Sequence, residues 1–150
     1  MEVEIANQQP TLAVDEDRLR GVCVAIAADA GYREGTISVA VVDDPTMHEL
    51  NRRHLAHDYP TDVLSFPLTD SPPRLEGEVV VSADTAAANA AEYGWPAGDE
   101  LLLYVVHGVL HLVGHRDKAD EETAAMRAAE AHYLRRCGVE PPPVGEAASS

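Results

Sequence analysis

Apolar and polar positions along the chain follow two periods, and each period predicts one class of element. Stretches that alternate, or that are dense in β-branched residues, predict strands, and stretches with a period near 3.6 predict helices. The predicted strands are 2–8, 35–44, 61–66 and 77–82, with Pro67 closing the third. The predicted helices are 15–31, 44–55, 83–94, 97–114 and 118–138. Residues 68–76 contain two adjacent prolines and predict a loop.

Residues that favour helix ends stand at the borders of these helical stretches. The predicted N-caps are Asp15, Asp44 (followed by Pro45) and Ser82. The predicted stops are Gly31, Gly94 and Gly114. Glycine favours such a stop because it tolerates the left-handed backbone conformation that reverses the chain.

The order of elements predicts the fold class. Strands and helices mix without a regular βα alternation, which predicts an α+β fold, a single domain with a mixed sheet of about four strands and about five helices. Helix 97–114 is apolar nearly all round, so we expect it to be the buried central helix. The domain is predicted to cover residues 1–138, and the proline-rich, then small and polar, segment 139–150 is predicted to be a disordered tail.

Charge and composition narrow the classes of partner and compartment. The net charge of −15 disfavours a general nucleic-acid binder, and DNA is not an expected partner. Two local basic patches are exceptions: Arg52, Arg53, His54 and His57, and Arg116 with Lys118. Cys23 and Cys137 lie far apart and indicate no disulfide framework, and Cys23 fits a small core residue. With no signal-peptide pattern and no apolar run of about 20 residues, we expect a cytoplasmic protein without a membrane partner.

The stretch that points to chemistry reads HGVLHLVGHRD, residues 107–117. His107 and His111 are four residues apart on the predicted central helix, so both rings share one face and can reach one ion. A chain that turns back at Gly114 could bring Asp117 to the same ion. Three protein ligands would leave a fourth position open for water, as a catalytic metal requires.

Two alternatives to this ligand set are compatible with the spacing. Core histidines without a metal are disfavoured, because a buried imidazole without partners costs about 1–3 kcal/mol. His115 would extend the stripe of histidines if the helix continued through Gly114, but the glycine favours an end there and hence Asp117.

Position 108 is glycine where an HExxH zinc protease has its glutamate base, so a protease is disfavoured. We expect the small residue to leave space beside the metal for a bulky substrate.

Three blocks of the chain together resemble one known family. They read LNRRHLAHDYPTDVLSFP (50–67), GEVVVSADTA (77–86) and HGVLHLVGHRD (107–117). In order and spacing they are similar to the YbeY family of bacterial rRNA maturation factors, and the similarity extends over roughly residues 2–137. The resemblance implies a metal-dependent single-strand endoribonuclease acting in 16S rRNA 3′-end maturation and ribosome quality control.

The resemblance also implies a metal site. The family's three zinc-binding histidines fall on His107, His111 and Asp117, and the tyrosine and aspartate before the third fall on His115 and Arg116. A carboxylate in place of an imidazole adds negative charge, so bound water should be less acidic and the site harder. We expect one Zn²⁺ per chain, as the resemblance implies. Because the site is harder, Mn²⁺ or Fe²⁺ are expected as substitutes.

Other candidate site residues come from the first block. The family's usual LNxxYR becomes His54–Leu55 at its last two positions, and Arg53 is the candidate to replace the family's arginine in RNA cleavage. His115, beside the open coordination position, is the second catalytic candidate. The candidates for substrate contact are Arg52, Thr61, Asp62 and Ser65. Turn chemistry and strand polarity offer a purely structural explanation for the last three.

Three functions follow from these features. The first is the endoribonuclease, with rRNA as substrate. The second is a non-catalytic ribosome-biogenesis factor with a largely structural metal, favoured by Leu55, whose acidic surface would bind a basic small-subunit ribosomal protein. The third is a hydrolase of another small substrate on the same metal.

Overall fold

The structure, a computed structural model, describes residues 1–55, 62–115 and 119–141. Its elements are β1 (Glu2–Asn7), α1 (Glu16–Asp29), β2 (Glu34–Val42), α2 (Asp44–Leu55), β3 (Val63–Ser71), β4 (Arg74–Ser82), α3 (Ala83–Tyr93), α4 (Ala97–Leu112) and α5 (Asp120–Arg136). The predicted α+β fold with a four-stranded mixed sheet and five helices is confirmed. Residues 142–150 of the predicted tail lie outside the described residues, while Val139, at its predicted start, is 8% exposed and packs in the core. The domain boundary at 138 stays a prediction.

The strands form one sheet in the order β1-β2-β4-β3. The first three are parallel, with Val3 paired to Ile37 and Ile37 to Gly77, and β3 runs antiparallel to β4 at the edge. Since β1, β2 and β4 all point the same way, their carboxyl ends meet at one edge of the sheet, where α2 and α3 begin.

The segment 68–76 is not the predicted loop. Strand β3 continues through Pro67 to Ser71, β4 begins at Arg74, and only Pro72 and Pro73 form the connection. The pairing shifts register between Pro67 and Thr69, which leaves the exposed Leu68 as an extra residue. Proline is tolerated here because β3 is an edge strand. The carbonyl of Pro73 also accepts hydrogen bonds from the backbone N–H groups of Arg33 (2.9 Å) and Glu34 (3.0 Å).

The two faces of the sheet carry cores of different size. Ile37, Val39 and Val41 face the large core with α1 and α4. The alternate residues face the other way, where Val42, Leu64 and Val80 meet Met47 of α2 in a small second core. Helices α2 and α4 therefore lie on opposite faces of the sheet.

Most of the predicted helix ends are confirmed. Asp15 and Ser82 accept backbone N–H bonds from Arg18 and Thr85. Gly31, Gly94 and Gly114 all have positive φ at or just beyond a helix end. The predicted cap at Asp44 is wrong by one residue, because Asp43 Oδ1 accepts from the backbone N–H of Thr46. The Asp44 carboxylate instead accepts bonds from the hydroxyls of Ser82 and Thr85, which fastens α2 to the start of α3.

Helix α4 is the buried central helix that its sequence predicts. It contacts β3, β4, α1, α3 and α5, and every residue from Glu100 to Leu110 is buried. Among the described residues, no helix combines the length and the apolar character that a membrane crossing requires. Cys23 is fully buried in the core, as predicted, and burial raises the pKa of its thiol to about 12.

Candidate metal centre

Helix α4 places His107 and His111 on one face, one turn apart, in its last two turns. His107 is 1% exposed, and His111 is half-buried. The two rings meet edge to face with centroids 4.6 Å apart, and their Nε2 atoms are separated by 3.1 Å. The helix thus aims one nitrogen of each ring at a shared point, as its i, i+4 spacing predicts.

The other nitrogen of His107 meets a carboxylate from the last helix. His107 Nδ1 lies 2.6 Å from Oε2 of Glu130, which is 2% exposed. A guanidinium nitrogen of Arg127, one turn earlier on α5, lies 2.9 Å from each oxygen of the same carboxylate. The result is a chain of contacts from Arg127 through Glu130 and His107 to His111.

This pair of imidazoles fits a tetrahedral transition metal. Two Zn–N bonds of about 2.0–2.1 Å at a tetrahedral angle set the nitrogens roughly 3.3 Å apart. The observed Nε2–Nε2 separation of 3.1 Å needs only a small adjustment. A carboxylate on the distal nitrogen of a metal-binding histidine is a common partner in such sites. Residues 1–55, 62–115 and 119–141 supply no complete group of three ligands, and the predicted third ligand, Asp117, lies outside them.

The end of α4 follows the prediction made from Gly114. The last helical residue is Leu112, Gly114 has φ +109°, and the backbone N–H of His115 bonds back to the carbonyl of Leu110 at 3.0 Å. His115 therefore does not continue the stripe of His107 and His111. Neither its catalytic role nor the ligand role of Asp117 is tested by this geometry, and both stay predictions.

Gly108 has a different role from the one expected. The missing side chain does not open space for a substrate, because it faces the sheet. A Cβ there would lie 2.6 Å from Cγ1 of Val79 and 3.1 Å from Cγ2 of Val63. The glycine lets α4 lie close against β3 and β4. A glutamate at this position would have to enter the sheet, so the position offers no place for a protease base.

Two of the predicted substrate contacts have internal partners. The Ser65 hydroxyl donates to the carbonyl of Gly108 at 3.0 Å, which ties β3 to α4. Asp62 is 3% exposed, its carbonyl accepts from the backbone N–H of Ser82, and its carboxylate from that of Val63. Thr61 lies outside the described residues. These bonds give Ser65 and Asp62 structural roles, and a contact with substrate stays a prediction for all three.

The predicted arginines lie near the end of α2, on the helix that covers the opposite face of the sheet from α4. The side chains of Arg52 and Arg53 are 54% and 63% exposed. Both reach Glu49, at 2.5 Å and 4.0 Å, and the hydrogen bond from Arg52 holds the pKa of that carboxyl below its usual range. Both positive charges thus lie beside the same carboxylate. His57, Arg116 and Lys118 of the predicted basic patches are outside the described residues, as is the side chain of His54.

A second buried polar cluster occupies the first half of α4. Glu100 is 1% exposed, and its Oε1 accepts from the indole N–H of Trp95 at 2.7 Å. The fully buried Tyr104, one turn on, accepts at its hydroxyl from the side-chain amide of Asn89 at 2.7 Å. Burial raises the pKa of Glu100, which the hydrogen bonds from Trp95 and Tyr104 offset only in part, and the charge of Asp62 raises it further.

The sequence interpretation missed Glu130, Arg127 and Glu100. One signal was available for Glu130. The buried residues of α5 are Met126, Glu130, Tyr133 and Leu134, a helical i, i+4, i+7, i+8 stripe that contains one charged residue. A carboxylate on an apolar stripe needs a buried partner, and the histidines were candidates for it.

Comparison with known proteins gives a family and several relatives. A family model described as Endoribonuclease YbeY matches residues 4–138. The chain is 49% identical over 126 residues to an endoribonuclease YbeY of Rhodopirellula baltica. The matched region covers 83% of this chain and 65% of that protein. It is 41% identical over 140 residues to an endoribonuclease YbeY of Carboxydothermus hydrogenoformans, covering 91% and 98%. The chain thus spans just under two thirds of the first relative and almost all of the second.

The fold also matches a known structure. The chain is similar to a Thermotoga maritima protein whose solution structure is known, with a TM-score of 0.61 and 24% identity, over 89% of this chain and 90% of that one. At this level of identity the likeness supports the α+β fold alone.

Proposed function

The chain belongs to the YbeY family of endoribonucleases, and we propose that it is a metal-dependent endoribonuclease that cleaves single-stranded rRNA in 16S rRNA 3′-end maturation and ribosome quality control. The observation that carries the metal dependence is the pair of Nε2 atoms at 3.1 Å on α4, one of whose rings is anchored by a buried carboxylate. We expect His107, His111 and Asp117 to hold one Zn²⁺, with Mn²⁺ or Fe²⁺ as substitutes. Such an ion, when bound, polarises a phosphoryl oxygen or makes bound water more acidic.

The residues of the chain itself would bind and place the RNA. Arg52 and Arg53 are exposed cations that can contact phosphates, and both lie beside Glu49. A chain of net charge −15 repels a polyanion, so the local cations have to carry the encounter. We propose Arg53 as the residue that takes the family's arginine role in cleavage and His115 as the polar group beside the open coordination position. RNA binding by this route should weaken steeply with added salt.

The ribonuclease is tested with purified protein, stripped of metal and reloaded with Zn²⁺, Mn²⁺ or Fe²⁺, on a single-stranded 16S rRNA 3′-end fragment. We expect cleavage with at least one metal, and loss of both cleavage and bound metal in His107→Ala and His111→Ala. His132→Ala is the matched control, because His132 is an exposed histidine on α5 whose ring packs on Tyr133. A parent that binds metal but cuts no RNA under any of these conditions would overturn the enzymatic proposal.

The ligand set is tested separately by elemental analysis of the parent, Asp117→Ala and His115→Ala. We expect one equivalent of metal in the parent and in His115→Ala and none in Asp117→Ala. The reverse pattern would mean that His115, not Asp117, completes the site.

One observation favours the second candidate function, a factor that binds a basic ribosomal protein. On the face of the sheet away from α4, Glu4 and Glu78 flank Ser38 in neighbouring strands, beside a groove of about 340 Å³. In the row below, Glu2 and Glu76 flank Thr36, and Glu76 is paired with Arg74 at 2.6 Å. This acidic face suits a basic small-subunit ribosomal protein by charge complementarity. Binding of such proteins that is lost in a Glu4→Lys, Glu78→Lys double variant, while metal content stays unchanged, would support it.

A further inference from the structure

Glu130 is a buried charged residue that is not one of the expected metal ligands. It lies on the apolar stripe of α5, 2% exposed, and reaches across to α4. One of its oxygens, Oε2, is 2.6 Å from His107 Nδ1, the nitrogen that points away from the point shared with His111. A carboxylate is costly to bury in an apolar interface unless it is paired. The position of Glu130 on the apolar stripe of α5 therefore needs an explanation.

We infer that Glu130 is a positioning residue for the proposed metal site. It holds His107 in the tautomer that carries its proton on Nδ1, so that the Nε2 lone pair points at the position shared with His111. This inference rests on the proposed metal-dependent function. A neutral imidazole has one N–H and one lone pair, and a carboxylate next to Nδ1 accepts the N–H and so fixes the lone pair on Nε2. The 3.1 Å contact between the two Nε2 atoms agrees with this, because His111 Nε2–H can then donate to His107.

Arg127 completes the arrangement from the solvent side. Its guanidinium nitrogen lies 2.9 Å from both oxygens of Glu130, and its side chain is 33% exposed. The ion pair gives the buried carboxylate a cation on one side, while His107 remains the partner on the other. The distal carboxylate fixes the ring orientation and increases the basicity of the ligating nitrogen, and loss of such a partner typically costs about 10–100-fold in metal affinity.

Two readouts test the inference, and the first needs no metal. In metal-free, ¹⁵N-histidine-labelled protein, long-range ¹H–¹⁵N correlation identifies which nitrogen of His107 carries the proton. In the second, competition with a chromogenic chelator measures Zn²⁺ affinity. The variants are Glu130→Leu, which removes the acceptor, Glu130→Gln, which keeps a neutral acceptor, and Arg127→Met. Glu92→Gln is the control, because it removes one exposed carboxylate from α3.

We expect Nδ1–H at His107 in the parent and loss of that preference in Glu130→Leu. Zn²⁺ binding should weaken about 10–100-fold in Glu130→Leu, recover partly in Glu130→Gln, and stay unchanged in Glu92→Gln. If Glu130→Leu does not fold, the tautomer of the parent and the Zn²⁺ affinities of Glu130→Gln and Arg127→Met decide. A parent with the proton on Nε2, or variants that bind Zn²⁺ as tightly as the parent, would overturn the inference. A parent with Nδ1–H that binds no Zn²⁺ would instead overturn the metal-dependent function while supporting the orienting role of Glu130.

Discussion

Two buried glutamates, Glu100 on α4 and Glu130 on α5, are buried to a similar degree but have different partners. They are 1% and 2% exposed. Both oxygens of Glu130 are bonded, one of them to His107 as well as to Arg127. Glu100 accepts from the neutral Trp95, and its Oε2 has no hydrogen-bond partner in the part of the chain that the structure describes.

The difference teaches that partners, and not burial, decide what a buried carboxylate does. A cation beside Glu130 keeps a charged acceptor where a histidine has to be oriented. Burial raises the pKa of Glu100, its neutral donors offset this only in part, and the negative charge of Asp62 raises the pKa further. The Glu130 cluster is therefore suited to chemistry, and the Glu100 cluster is suited to holding α4 against its neighbours.

The largest expected effect comes from removing the cation of the Glu130 cluster. Breaking a buried ion pair from one side typically costs about 3–5 kcal/mol, and we expect Arg127→Leu to reach the lower part of that range or less, since Arg127 is one-third exposed. Urea unfolding of the metal-free protein measures the change. A loss no larger than that of Arg135→Leu, which breaks an exposed pair with Glu140 at the end of α5, would mean that the two clusters do not differ as described.

The next effect concerns the close approach of α4 to the sheet, on which both clusters depend. Gly108→Ala places a Cβ 2.6 Å from Val79, and overpacking of this kind costs about 1–3 kcal/mol. Gly21→Ala is the matched control, because Gly21 is also helical but has nothing within 4 Å of the added Cβ. It should be neutral or stabilising by up to about 1 kcal/mol. Thermal unfolding of both variants checks the prediction, and equal shifts would contradict it.

A smaller effect is expected when the Glu100 cluster loses one hydroxyl. Tyr104→Phe leaves the amide of Asn89 without its acceptor, at a cost of about 1–2 kcal/mol. Zn²⁺ affinity should not change, because the hydroxyl belongs to the other cluster. Tyr93→Phe, at an exposed tyrosine of α3, is the control. A change in Zn²⁺ affinity in Tyr104→Phe would show that the two clusters are coupled along the helix.

The smallest effect is a slope in the dependence of stability on pH. Below the unfolded-state pKa of about 4.5, Glu100 is protonated in both the folded and the unfolded state, so it adds no slope to the dependence of stability on pH. Above it, the unfolded chain releases this proton first, so the folded parent loses stability as the pH rises through the raised pKa of the folded state. Glu100→Gln has no such proton.

The free energy of unfolding of the parent minus that of Glu100→Gln should therefore fall as the pH rises above about 4.5. Urea unfolding of the metal-free proteins at several pH values measures this difference. A difference that rises with pH would mean that Glu100 is stabilised as a charged group.

Local signals in the sequence predicted most of the secondary structure. The caps at Asp15 and Ser82 and the positive-φ stops at Gly94 and Gly114 depend on neighbours within four residues, so they can be read from a short window. The cap at Asp44 was misplaced because Asp43 and Asp44 are equally suited to it. A contact across the fold decided between them, since the hydroxyls of Ser82 and Thr85 bind the second carboxylate.

The sequence predicted the site only in its local part. The pairing of His107 with His111 follows from helical spacing, but the partner of His107 lies 23 residues further along the chain. Likewise, nothing near Gly108 shows that its missing side chain faces Val79. Such contacts depend on how α5 and the sheet pack against α4, and only the tertiary structure supplies that information.

The turn at Pro72 and Pro73 has a practical consequence for insertion of a reporter domain and for circular permutation. Its two adjacent prolines suggest a loop, and thus a place for a reporter insertion or new termini. However, the carbonyl of Pro73 accepts from both Arg33 and Glu34, so this turn joins the hairpin to the start of the neighbouring parallel strand. An inserted domain would separate three strands at once, and circular permutation here would remove the connection that aligns them.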